Sequence, residues 1–156
     1  MQNNSQFKIV LFAPEIPGNT GSIGRTCVAL NLELILIKPY GFDIDEKAVR
    51  RAGLDYWKHV NLKEFESWED FLMREKPPKD KLFFYENNGD KLHYEAPYAK
   101  DCYLLFGGET KGFPYEIEDE YKSQFYKLPM YSEHIRSLNL SNVATTVAYE
   151  CLRHLI

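Results

Sequence analysis

Three polar stretches, far apart along the chain, hold the side chains best suited to act on a ligand. Asn19 and Arg25 lie in Pro14–Arg25, Glu109 in Phe106–Pro114, and Arg136, Ser137 and Asn139 in Leu128–Asn142. Each follows an apolar run, and polar loops seated between buried segments are where binding and catalysis concentrate. In the first stretch an amide and a guanidinium stand six residues apart near the start of a helix. That pair suits a phosphate or a ribose hydroxyl. A helix cap followed by a surface arginine is the plainer reading of the same residues.

The glycines narrow the choice of ligand. Gly18, Gly21 and Gly24 mimic a dinucleotide fingerprint, but their spacing is G-x-x-G-x-x-G. The next strand ends at Lys38, where a nicotinamide site wants an acid on the ribose, so an ordinary Rossmann cofactor is disfavoured. Phe106–Pro114 contains G-x-x-x-x-G without the following Lys and Ser/Thr, which excludes a P-loop. Glycines at a strand end let a ligand approach the backbone, and Glu109 could orient a hydroxyl or an amine there. A glycine turn with solvated Glu109 and Lys111 fits equally. Leu128–Asn142 reads either as a ligand loop or as stacked turns and caps.

Other reactive groups carry less. His59, His93, His134 and His154 are scattered, and none pairs with another ligand at i,i+3 or i,i+4, so no metal site is expected. His134 reads as a surface histidine. Cys27, Cys102 and Cys151 are odd in number, lack a C-x-x-C pair and sit among apolar neighbours. They read as small buried thiols in a reducing cytoplasm. Arg50, Arg51 and Lys58 interleave with Tyr56 and Trp57. Such a mixture suits RNA phosphates and unstacked bases, or simply a solvated helix end.

Alternating strands and helices must position these groups. Apolar runs predict strands at Phe7–Phe12, Glu33–Lys38, Lys81–Glu86, Cys102–Phe106 and Phe125–Leu128, with a weaker one at His59–Leu62. Asn19 or Thr20 can cap a helix to Leu30, and Asp45 a short one holding Lys47, Arg50 and Arg51. Ser67-Trp-Glu-Asp70 has capping-box spacing and opens a helix that Pro77 and Pro78 stop. Pro114 suits the first turn of another, and Ser141 can cap the last. In that last helix Val143, Val147, Cys151 and Leu155 recur every four residues, a face broad enough for a core and a partner. Apolar strands alternating with helices predict an α/β fold with a parallel sheet, as one domain spanning residues 1–156. The 44% hydrophobic and 15% aromatic content exclude disorder. A net charge of -4 argues against a generally basic nucleic-acid coat and leaves RNA contact to local patches. The N-terminus lacks an apolar signal core, and no apolar run approaches the roughly 20 residues of a membrane helix.

Together, Asn19-Thr-Gly-x-x-x-Arg25, Phe106-Gly-x-Glu-x-x-Gly-x-Pro114, and Leu128-Pro-Met with Arg136-Ser-Leu-Asn-Leu-Ser-Asn142 stand in the order of the three motifs of the SPOUT RNA methyltransferases. The chain resembles that family from Phe7 to Arg153. Arg50-Arg-Ala-Gly-Leu-Asp-Tyr56 and the short length are similar to the small subfamily that methylates the ribose of the tRNA wobble nucleotide. The resemblance implies a parallel-sheet α/β knot, its C-terminal segment threaded as a trefoil knot, an exception to ordinary chain topology. It also implies a cytoplasmic homodimer with the pocket beside the subunit interface. S-adenosyl-L-methionine would be the cofactor, without metal, and tRNA the partner, with neither DNA nor a membrane. Carried over by position, the pocket takes Tyr85, Gly107, Leu128, Met130, Ser137 and Leu140. Tyr85 stands where the subfamily often has an aliphatic residue, and Gly108 where proline is frequent.

The reaction so implied is displacement at the cofactor's methyl carbon by a ribose 2′-hydroxyl. It needs alignment of oxygen, methyl and sulfur, and a way to lose the hydroxyl proton. An arginine pKa above about 12 makes Arg25 a poor base, so its expected role is to grip phosphate and hydroxyl and stabilise the developing alkoxide. Asn19, Glu109 and Asn139 would complete the polar frame, and Arg136, Arg50, Arg51 and Lys58 would contact RNA. The alternatives are ribose methylation at another tRNA or rRNA position, and a knotted module that binds RNA without catalysis.

Overall fold

The computed structural model describes residues 5–43 and 54–156. Within them lie strands β1 (Lys8–Phe12), β2 (Glu33–Ile37), β3 (Asn61–Phe65), β4 (Leu82–Tyr85), β5 (Lys91–Leu92), β6 (Tyr103–Phe106) and β7 (Phe125–Lys127). All pair in parallel, in the order β3-β2-β1-β6-β4-β7-β5. The helices are α1 (Pro17–Leu30), α2 (Trp68–Glu75), α3 (Tyr115–Glu120) and α4 (Leu140–Leu155). No helix among the described residues is long and apolar enough to cross a membrane.

Strands β2, β4 and β6 are buried along their whole length, as a parallel sheet covered on both faces requires. Alternation along each strand splits the core in two. Ile9, Leu11, Leu34, Leu36 and Leu104 face Ile23 and Cys27 of α1 and Ala144, Val147 and Cys151 of α4. Val10, Ile35, Ile37, Phe84 and Leu105 face Phe71 of α2 and Ile117 of α3. The three cysteines are buried free thiols, as their apolar neighbours led one to expect.

The edges depart from the sequence expectation. Residues Leu54–His59 form a 3-10 helix, and the Val60 amide donates to the Trp57 carbonyl (3.0 Å), so the strand placed at His59–Leu62 starts only at Asn61. It is an edge strand and not apolar throughout: its burial alternates, and Lys63 pairs with Glu75 (3.0 Å) and Glu33 (3.7 Å). Strand β5, two residues long, is too short to leave a periodic signal. The helix expected after Asp45 lies outside the described residues.

Helix starts also needed correcting. Pro17 opens α1, its fixed φ already helical, so Ile16 is the N-cap and Asn19 and Thr20 are buried inside the helix. The cap of α4 is Asn139 rather than Ser141; its side-chain oxygen accepts from the Ser141 and Asn142 amides. Ser67 does cap α2, accepting from the Asp70 amide at 3.1 Å. The return arm is offset, since the Asp70 carboxylate takes the Glu66 amide (2.9 Å). Ser67→Ala should lower stability by about 1 kcal/mol, read as an earlier urea midpoint at unchanged slope.

Candidate functional site

Chain order reverses between β1 and β6: β2 and β3 continue one side of the sheet, β4, β7 and β5 the other. Ligands of open parallel sheets bind beyond the carboxyl ends of the strands at such a switch point. Four segments emerge there: Ala13–Ile16 after β1, Glu86–Asn88 after β4, Gly107–Gly112 after β6, and Leu128–Asn139 after β7. Between them lies a cleft of about 580 Å³, within the ~300–1,000 Å³ of small-molecule sites.

Every residue assigned to the cofactor lines this cleft: Tyr85, Gly107, Leu128, Met130, Ser137 and Leu140. So do Asn19, Glu109 and Asn139. These three, distant in sequence, are joined by hydrogen bonds. The Glu109 carboxylate accepts from the Glu15 amide (2.8 Å), the Ile16 amide (3.1 Å) and Asn19 Nδ2 (3.0 Å). Asn139 Nδ2 donates to Asn19 Oδ1 (3.1 Å). Asn19 is 8% exposed, so both ends of its amide are satisfied inside the wall. The first turn of α1 has no acidic residue of its own, and Glu109 brings negative charge to that positive helix end.

Local geometry explains the glycines. The Gly108 and Gly112 amides each donate to the other's carbonyl (3.3 and 2.9 Å), with Gly112 in the left-handed region at φ 61. A Cβ on Gly107 would lie 2.5 Å from the Gly112 carbonyl carbon. Beside this loop Glu86 accepts from the Phe113 amide (2.8 Å). Burial pushes its carboxyl above the ordinary range, against that bond. The Tyr85 hydroxyl points away into the core, donating to Tyr98 Oη (2.8 Å), which donates to the His93 carbonyl (2.6 Å). At the cleft Tyr85 therefore offers ring and backbone, not its hydroxyl.

Arg25 is not brought into the cleft of its own chain. It is exposed on α1, its guanidinium 4.9 Å from the centre of the Tyr56 ring. Next to it Gly24 lies so close under Trp57 that a Cβ would meet the indole at 2.7 Å. Arg136 is exposed, its carbonyl accepting from Asn87 Nδ2 (3.0 Å), and Lys58 and His134 are exposed. Arg50 and Arg51 lie outside the described residues. Sequence reasoning missed Glu86, Asn87, Asn88, Lys111 and Lys127, all of which line the cleft. Taken by itself, Asn87-Asn88-Gly89 is a turn signal. Its place directly after a buried strand of a parallel sheet was the signal.

A parallel α/β sheet whose switch-point cleft is walled by a glycine loop and by the segment entering the last helix is the arrangement that the resemblance to the SPOUT methyltransferases led one to expect. The chain belongs to the SpoU rRNA Methylase family, whose model matches residues 6–149. A Bacillus subtilis protein with the provisional name tRNA (cytidine(34)-2'-O)-methyltransferase is 45% identical over 148 residues, 93% of this chain and 91% of its own. A solved structure concerned with 2-OH methylation of C/U34 on tRNA is 40% identical, covers 96% of this chain and 95% of its own, and gives a TM-score of 0.88. The AdoMet-bound rRNA methyltransferase of Sinorhizobium meliloti shares the fold at a TM-score of 0.85 and 24% identity, over 99% of this chain and 58% of that one.

Proposed function

We propose that the protein transfers a methyl group from S-adenosyl-L-methionine to the ribose 2′-hydroxyl of the tRNA wobble nucleotide, a cytidine or modified uridine. The names of the Bacillus subtilis relative and of the 40% identical structure support the substrate. The observation that carries the chemistry is the bonded line Glu109–Asn19–Asn139 along one wall of the cleft.

The residues present fit the cofactor. Leu128, Met130, Leu138 and Leu140 give an apolar slot for an adenine ring, and the Gly107–Gly112 backbone, which tolerates no Cβ at Gly107, lets a ligand lie close. Bound there, the cofactor supplies an electrophilic methyl group. The chain supplies position and charge. Glu109 and Asn139 fix the Asn19 amide in one orientation, so the wall needs no reorganisation when substrate arrives. Arg25 stabilises negative charge as the ribose hydroxyl gives up its proton to solvent water and its oxygen takes the methyl group, the sulfonium sulfur leaving as a neutral thioether, and Arg136, Lys58, Arg50 and Arg51 hold RNA.

A homodimer in which Arg25 faces the partner's cleft accounts for its place outside its own. Exposed Tyr131, Ile135 and Leu138 before α4, and Tyr149 on it, suit the contact. A trefoil knot, in one domain, fits the path of the chain: it leaves β7, passes the loop after β4 where Asn87 holds the Arg136 carbonyl, and returns under α1. A cytoplasmic setting and dependence on no metal complete the reading. Labelled cofactor and bulk undermodified tRNA test it, with mapping of the product. The expected result is one ribose-methylated nucleotide at position 34. Label elsewhere would favour another RNA site, and cofactor binding without transfer would favour a non-catalytic module.

A further inference from the structure

Glu15 does not line the cleft, and the reaction above makes no use of it. Its carboxylate nonetheless accepts from the Thr110 amide (2.9 Å), the Thr110 hydroxyl (2.6 Å) and the Lys111 amide (3.1 Å). Across the same gap the Glu109 carboxylate accepts from the amides of Glu15 and Ile16. Each acid grips the backbone of the other's segment, and the exchange ties the segment after β1 to the glycine loop after β6. Bonds from the Thr110 hydroxyl and amide hold the Glu15 carboxyl below its ordinary range, so Glu15 meets them as a carboxylate at neutral pH. Gly108 makes room for it. A Cβ there would stand 2.5 Å from Glu15 Oε2 and 2.9 Å from the Ala13 carbonyl oxygen. A side chain at 108 would oblige Glu15 and the Ala13 carbonyl to shift.

We infer that Glu15 is a positioning residue that holds the Thr110–Lys111 peptide so that the glycine loop keeps its ligand-binding shape and Glu109 stays on Asn19. The inference rests on the reading of the cleft as a cofactor site. Thr110 and Lys111 are exposed, so water can take over their amides when the carboxylate is removed. The fold then survives, and the loss falls on the shape of the loop.

Calorimetric titration of S-adenosyl-L-methionine into the full chain tests this, with thermal midpoints taken alongside. Glu15→Ala should weaken cofactor binding about tenfold, what one charge-assisted hydrogen bond is worth, at a near wild-type midpoint. Its KM for cofactor should rise and its kcat should fall as Glu109 loosens from Asn19, while KM for tRNA holds. Glu15→Gln can still accept both amides through its one carbonyl oxygen and meet the Thr110 hydroxyl with its NH2, so it should recover to within about threefold of wild type. Thr110→Val, which deletes only the hydroxyl bond, should fall between the two and decides the matter if Glu15→Ala does not fold. Wild-type affinity in Glu15→Ala, or equal losses in the Ala and Gln variants, overturns the positioning role. A wild-type chain that binds no cofactor overturns the reading of the cleft instead.

Discussion

Arg25→Ala should lower the turnover of methyl transfer by roughly 100- to 1,000-fold, the usual cost of deleting one donor that meets charge developing in a transition state. Cofactor affinity stays near wild type, because Arg25 does not line the cleft. Stability changes little as well: the side chain is exposed, and a cation–π contact such as that with Tyr56 is worth about 0.5–1 kcal/mol at such sites. A loss confined to kcat marks an interaction made only in the transition state. Arg25→Lys keeps the charge but not the planar fork, and should recover less than about a tenth of wild-type activity. Full activity in that variant would remove any special part for the guanidinium. Mixing Arg25→Ala subunits with a cleft-defective variant should restore activity that neither has alone, if Arg25 serves the partner's cleft.

Glu109→Ala strikes both stability and activity. Three donors lose their acceptor at once, and one of them, Asn19 Nδ2, belongs to a residue only 8% exposed. Hydrogen bonds to a charged group and the desolvation of what they leave unpaired put the loss at about 2–3 kcal/mol. Methyl transfer in a single turnover should fall by about 100-fold, since the Asn19 amide is then held by Asn139 alone. Glu109→Gln keeps one acceptor oxygen and should regain part of both. A urea midpoint equal to wild type would show that Glu109 does not anchor the start of α1.

Much of the fold was legible because its central strands are continuous apolar runs, and a sheet covered on both faces leaves that mark. The polar stretches after them were legible for the same reason. What could not be read was whatever depends on choosing between equivalent local options. Asn19, Thr20 and Ser141 are all good caps, yet Pro17 and Asn139 set the actual starts. The Glu15–Glu109 exchange joins residues 94 apart and leaves no local pattern. Arg25 and Asn19 share a motif but part company in space, because six helical residues carry one outside the cleft while the other is buried in its wall.

Strand order also governs when the cleft comes into being. β1, first in the chain, takes β6 as a neighbour, with Lys8 opposite Tyr103, and Asn139 reaches back 120 residues to Asn19. As the chain leaves the ribosome, β1, β2 and β3 can assemble side by side. The cavity then still lacks three of its walls, and long-range pairings of this kind form slowly. A polypeptide that ends before Tyr85 therefore holds only Ile16 and Asn19 of the cavity's lining. Only a longer chain holds the rest, and a ligand that recognises only the complete cavity draws the population towards it. Affinity for that ligand thus also reports that synthesis has reached Val143, the last residue along the chain to line the cavity.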